Sequence, residues 1–304
     1  MKTVCLGSHA RGLIAASFWT MSALGAHAQF SEKWLQDETY WGDGKAEFNV
    51  YEAQAVRYGQ PRPSEVIHIL VREPFSRREL VKTEPNSPAE SYPVLKLNQI
   101  LHIPTGVYVY QQMHSAFWQT SDGALVKATL TSNDSCGNTY KEFRALSGFD
   151  TLAGNGWLYE WRTYWEGMAS GEERIRAPKH AFFYDELPMR VRTIDFSEGK
   201  GGFDVRLAPT VIRSKKEKVI FEFAHVTWIT EGETIRVAVK VMTKEGEQRD
   251  ELLLDAAPPY LLREWKQRDG SHLKLKQSVK IDYWNYNKPG DKERALGDEA
   301  AAQP

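Results

Sequence analysis

The sequence predicts an all-β fold: a large antiparallel sheet, curled or built as an open barrel, with meander topology and few short helices. Three observations predict it. Runs with a period of two recur along most of the chain, as in "AEFNVY" and "RVAVKV". Consecutive runs are joined by short glycine-bearing turns, Asp122-Gly123, Glu231-Gly232, Glu245-Gly246 and Asp269-Gly270. Aromatic residues make up 12% of the chain, and these side chains suit pleated surfaces. A sheet of about 12 strands must close or curl to hide its edges, and a curled sheet of that size leaves room for an apolar cavity.

The elements follow in order. Residues 1–28 have the form of an export signal: Lys2 and Arg11, a mostly apolar run from Leu13 to Ala26, and the cleavage pattern Ala26-His27-Ala28. The run falls short of the roughly 20 residues that span a bilayer. The expectation is therefore a periplasmic or secreted protein cut near Ala28, without a transmembrane segment in the mature chain. Residues 29–287 form a single β-rich domain. It opens with a short helix over Gln29–Trp41, with Phe30 and Trp34 on one side. Strands are predicted at Ala46–Tyr51, Glu65–Arg72, Val94–Ile103, Val107–Trp118, Ala124–Thr131 and Thr139–Leu146, with a Pro-rich loop over Leu80–Pro93. "WLYEWRTYWEGM" extends the sheet, and Phe182–Val191 carries one short helix. The second half repeats the grammar in "VIFEFAHVTWIT", "ETIRVAVKVMTK", "EQRDELLLD", "YLLREWKQR" and "SHLKLKQSVKIDYW". Residues 288–304 have few apolar side chains and are expected to be a disordered tail.

Composition excludes some classes of function. Lys and Arg number 39 against 40 Asp and Glu, so no basic field is available to hold nucleic acid. Of two cysteines, Cys5 lies in the leader, and Cys136 is left without a disulfide partner. No paired-cysteine, His-Glu-x-x-His or acidic calcium-loop spacing occurs, so no metal and no cofactor are predicted.

Three stretches could carry chemistry. In the strand 157–165, Trp157, Tyr159, Trp161 and Trp165 share one face. They either wall a ligand cavity or pack the sheet. Cys136 sits in the polar turn "SNDSCGN", where a thiol can be exposed; His114 and His225 are its candidate bases for a Cys–His pair. Ser76, Arg77 and Arg78 follow an apolar strand and could grip a phosphate, or could form a solvated strand-end turn.

That last patch resembles the Ser-Pro-Arg-Arg-like loop of Maf-family nucleotide pyrophosphatases over about a dozen residues. That family's α/β alternation and internal acidic base motif are not visible here, and a Pro-rich loop follows in place of a helix. "WGDGKAEFNVYEAQAVRYGQPR", "SNDSCGNTYKEF", "DELPMRVRTIDF" and "YWNYNKPGD" resemble segments of an uncharacterised family of exported bacterial proteins, some labelled septum formation inhibitor Maf. That family brings no established activity. The stretch 236–275 resembles, in strand pattern, the half-barrels of periplasmic lipoprotein carriers, which speaks to fold.

These readings lead to an exported, non-enzymatic protein that binds an apolar or amphipathic small molecule, or an envelope component. The alternatives are an enzyme, either a Cys136-dependent hydrolase or a Maf-type pyrophosphatase, and a structural interaction domain with a filled core. Oligomeric state is not legible in the sequence.

Overall fold

Period-two alternation builds longer strands than the turn signals alone suggest, because alternating residues keep pairing until a glycine or an extra residue interrupts them. A computed structural model describes residues 30–87, 89–146 and 156–297. The predicted leader, residues 1–28, lies outside them. The first half of the described chain contains β1 (Ala46–Arg57), β2 (Gln60–Ser76), β3 (Ser91–Pro104), β4 (Val109–Gln119), β5 (Leu125–Asp134), β6 (Gly137–Ala145), β7 (Gly156–Arg162) and β8 (Ser170–Arg176). The second half contains β9 (Ala181–Phe183), β10 (Lys200–Ala208), β11 (Glu222–Glu231), β12 (Thr234–Thr243), β13 (Gly246–Asp255), β14 (Leu262–Lys266) and β15 (His272–Ile281).

All fifteen belong to one sheet that does not close. From one edge, β8 to β1 run in descending order, β15 pairs β1, and the order descends again to β9. Every pairing is antiparallel except β9 with β10. The topology is thus two meanders joined through β1 and β15. Its two edge strands, β8 and β9, are consecutive in sequence.

Curling brings those ends together. The Phe183 ring of β9 lies 4.8 Å from Phe143 of β6 and 5.6 Å from Trp157 of β7, centroid to centroid. Bulges supply bend and twist: registers shift at Val50/Tyr51 against β15, at Phe117/Trp118, and at Leu253/Leu254. The edges are blunted. β9 is three residues long, and β8 presents Glu172, Arg174 and Arg176 to solvent. Near each end a tryptophan covers a cross-strand glycine, Trp161 over Gly171 and Trp228 over Gly201; a Cβ at either glycine would run into the indole.

The trough is filled by the segment between β9 and β10. Tyr184–Glu186 is one 3₁₀ turn and α2 spans Leu187–Arg190, started by Pro188, which fits the helix expected over Phe182–Val191. The segment is apolar on opposite sides. Phe182, Tyr184, Leu187 and Val191 join the core of β10–β15, while Phe183 and Met189 join the core of β2–β8. An element with apolar side chains on opposite sides must be buried between two cores, and this one plugs the trough.

Three local expectations change. The helix predicted over Gln29–Trp41 shrinks to α1 (Glu38–Trp41), capped by the Asp37 carboxylate, which accepts from the Thr39 and Tyr40 amides. Phe30 makes an isolated bridge to Ile194 instead, and Gln29 lies outside the described residues. In the tail, α3 (Asp291–Leu296) forms where disorder was expected, because Asp291 accepts from the Lys288 amide and pairs with Arg294; residues 298–304 lie outside the described part. Finally, β7 ends at Arg162, so Trp165 does not share its face. Trp165 is 37% exposed in the following turn, beneath the Lys215 ammonium at 4.3 Å.

Candidate functional site: a cavity at one end of the trough

Register aligns four polar side chains across the inner face. Asn49 of β1 pairs His68 of β2, His68 pairs Gln99 of β3, and Gln99 pairs His114 of β4. All four are buried. The plug covers one end of this row. Gln99 Nε2 donates to the Asp185 carbonyl at 2.8 Å and lies 3.1 Å from His114 Nδ1. Amide donation to Nδ1 leaves the His114 proton on Nε2. Burial holds the His114 imidazole below its ordinary pKa, against the pull of Asp185 and Glu186.

Around the plug, the buried carboxylates of Glu47, Glu186 and Asp250 each meet an opposite charge. The Arg192 guanidinium forks onto both Glu47 oxygens at 2.7 Å and donates twice to the Pro259 carbonyl, with its plane over Trp34. Glu47 also accepts from Asn49 and from the Tyr40 hydroxyl. Burial alone would raise the Glu47 carboxyl, but Arg192 and these donors bring it below its ordinary value. Glu186 accepts from the Trp118 indole at 2.8 Å, the Phe183 amide and Arg190. Asp250 Oδ1 accepts from Tyr184 and Trp265, and Arg268 approaches Oδ2 at 3.1 Å without hydrogen-bond geometry. Burial raises the Asp250 carboxyl despite Arg268.

His68 is treated differently. It is 2% exposed, with Tyr51 against its ring at 4.7 Å, and its Nε2 is buried without a hydrogen-bond partner. Burial pushes its pKa down to about 3, so the folded protein holds a neutral imidazole. His68 lines a cavity of about 300 Å³. Its floor is apolar, with Ala53, Val66, Leu101, Ile103 and Leu273 from β1, β2, β3 and β15. The plug contributes Tyr184 and Asp185, and β14 contributes Trp265. A volume of this size lies at the small end for small-molecule sites. Two wider grooves, over β10–β13 and over β5–β8, are more open to solvent.

Charged groups gather at the mouth. Arg57, the last residue of β1, donates to the Val56 carbonyl and to Gln112 Oε1 at 3.0 Å. Gln112 in turn donates to Ser132, and Ser132 meets Ser214, beside Arg213. The loop carrying Arg213 is pinned from below. Lys141 Nζ, buried, donates to the Val211 and Lys215 carbonyls, and burial pushes that ammonium down to about 8. Beyond Arg57 the chain turns through Tyr58 and Gly59, both at positive φ, in a two-residue hairpin. Tyr58 accepts that backbone with its hydroxyl held by Tyr108 and Tyr110 at 2.7 and 2.6 Å.

The residues singled out from sequence lie elsewhere. Trp157 and Tyr159 are buried at 4% and 1% exposure, packed on Phe183 and Phe143. Trp161 is partly buried over Gly171, and none of the aromatic four lines the cavity. Cys136 is an exposed free thiol whose amide donates to Asp134. His114 lies buried beside Gln99, and His225 pairs with Asp204 at 2.6 Å on the outer face; no hydrogen bond joins either to Cys136. Ser76 accepts from the Glu79 amide in a turn, where Arg77 pairs with Glu90 over Tyr92 and Arg78 points to solvent. The described residues hold no cluster of three or more potential metal ligands and no helix long and apolar enough to cross a membrane.

Sequence reasoning missed His68, Gln99 and Arg57. The available signal was a polar residue in the inward phase, as in Val66-His68-Leu70. It was masked because Ile67, Ile69 and Val71 make the opposite phase equally apolar. No protein-family model matches the chain, and neither a curated protein nor a solved structure is significantly similar to it.

Proposed function

We propose that this chain is a non-enzymatic binding protein that holds a small amphipathic molecule in the cavity beside His68. One observation carries the reading: between the plug and the sheet lies a cavity of about 300 Å³ with apolar side chains on the sheet side and charged ones at its mouth. His68, in the wall of that cavity, keeps a buried ring nitrogen without a partner, which buried polar groups in native proteins normally have. The apolar floor and polar mouth suit a molecule with one apolar end. The aromatic face of β7, first considered as a ligand wall, packs against the plug and is replaced in this reading by the His68 cavity.

The cavity is tested with a neutral fluorescent probe, N-phenyl-1-naphthylamine. Its emission is expected to rise on mixing with the parent chain. Ala55→Trp places an indole in the cavity and is expected to abolish that rise while thermal unfolding stays cooperative. Equal signals from parent and variant would remove the site. Export belongs to the same proposal: mass spectrometry of the periplasmic fraction should show a chain beginning at Gln29, and recovery of the intact leader there would refute it. A Cys136 hydrolase has less support, because the thiol lies in an exposed turn with neither candidate histidine bonded to it.

A further inference from the structure

We infer that the cavity takes a small organic acid, one carboxylate on a compact apolar body, with the carboxylate on Arg57 and Arg213. The inference rests on the binding reading above and names the ligand class for the same cavity.

Arg57 is mostly withdrawn from water, yet among the described residues it makes no salt bridge; its donors go to one carbonyl and one amide oxygen. Burial, and then the nearby positive charge of Arg213, both work against its own charge. Arg213 is only loosely engaged, 3.5 Å from the exposed Glu217 carboxylate. Both guanidinium groups line the same cavity, and neither is held by a close buried carboxylate. A carboxylate there would relieve their repulsion, and the guanidinium fork matches its geometry.

The other carboxylates at the cavity do not fill that role. Asp185 is committed to Thr210 and the Val211 amide at 2.6 Å each. Asp269 caps its own turn at the Ser271 amide, and weighs only third on Arg57, in favour of its charge. Arg268 is engaged with Asp250. Glu222 and Glu245, contributed by β11 and by the turn between β12 and β13, line the cavity without a salt bridge. They disfavour an anion on their side and so orient the head towards Arg57. The body then lies on Leu101, Ile103 and Leu273, within reach of His68. Because that imidazole is neutral, it can offer one nitrogen as donor or acceptor to a second polar group. A water occupies about 30 Å³ of liquid, so the cavity suits a ligand on the order of ten non-hydrogen atoms.

Octanoate has about that size, and octanol and octylammonium share its chain with a neutral and a cationic head. Isothermal titration of all three into the parent chain is expected to rank octanoate about tenfold or more above octanol, as a charge-assisted pair would give, with octylammonium weakest. Arg57→Gln and Arg213→Gln should each bring octanoate down towards octanol and leave octanol unchanged. The Arg213 side chain is exposed in a loop, so its variant is expected to unfold at the parent's urea midpoint, which is measured alongside. Octanol or octylammonium binding as well as octanoate, or both variants binding octanoate like the parent, overturns the carboxylate assignment while the cavity reading stands. Octanoate failing where the naphthylamine probe binds does the same. If no ligand binds and Ala55→Trp matches the parent with the probe, the binding reading has failed with it.

Discussion

Glu47 and His68 are buried polar side chains on the inner face of adjacent strands, and their surroundings are opposite. Glu47 meets Arg192, Asn49 and Tyr40, so both its oxygens are used. His68, cross-strand from Asn49, has a ring nitrogen with no partner and a cavity beside it. The difference lies in what the plug brings to each. Arg192 of the plug answers the Glu47 charge with two hydrogen bonds, whereas no group of the plug bonds the buried His68 nitrogen. The first residue ties plug to sheet, and the second stands in the wall of the cavity.

The largest effect should come from breaking the Arg192–Glu47 pair. Arg192→Ala leaves Glu47 buried without its cation and should cost about 3–5 kcal/mol in a urea melt. Arg192→Met combined with Glu47→Leu should recover much of that loss, since an apolar pair no longer carries an orphan charge. A loss under about 1 kcal/mol for the single variant would mean the plug is not held as described.

Trp157→Ala should cost roughly 3–5 kcal/mol, because it empties a buried contact with Phe183. Trp165→Ala, in an exposed turn, should lie within about 0.5 kcal/mol of the parent. If the two variants lose similar stability, the packing assigned to β7 is wrong.

Acid should act through the buried histidines. The His68 pKa is about 3 in the folded protein, against about 6.5 when unfolded. As pH falls below 6.5 only the unfolded chain takes up this proton, so the His68 contribution is fully present above that value and fades towards pH 3. Between pH 7 and 5 the loss should be roughly 2 kcal/mol, read from urea midpoints. His114 is lowered in the same direction and adds to it. His68→Leu should remove the His68 part of this acid limb.

A small effect on stability is expected from that same substitution at neutral pH. Replacing an unpartnered buried imidazole by a leucyl side chain should shift stability by less than about 1 kcal/mol, or raise it. A loss of several kcal/mol would show that His68 holds the fold and would place it with Glu47.

The all-β architecture was legible because alternation and glycine turns are local signals, and the antiparallel meander follows from short connections between consecutive strands. The Phe182–Val191 helix was legible for the same reason. The site was not. Trp157 and Tyr159 drew attention as aromatic side chains on one face, but aromatic character is the same in a core and in a binding wall. Their burial depends on Phe183, which arrives from the other end of the sheet.

By itself the sequence determined which residues alternate, where the chain turns and which segments cannot be strands. All of these depend on neighbours a few positions apart. The tertiary structure alone decided that β15 pairs with β1, that the sheet curls until β9 meets β6 and β7, and that the plug leaves a cavity beside His68. Those pairings bring together residues far apart in sequence, such as Glu47 and Arg192, through contacts that no local pattern encodes. His68 has an ordinary local environment, a histidine in an apolar strand. It becomes a candidate ligand contact only because the folded chain leaves a cavity beside it, lined by β1, β2, β3, β15 and the plug.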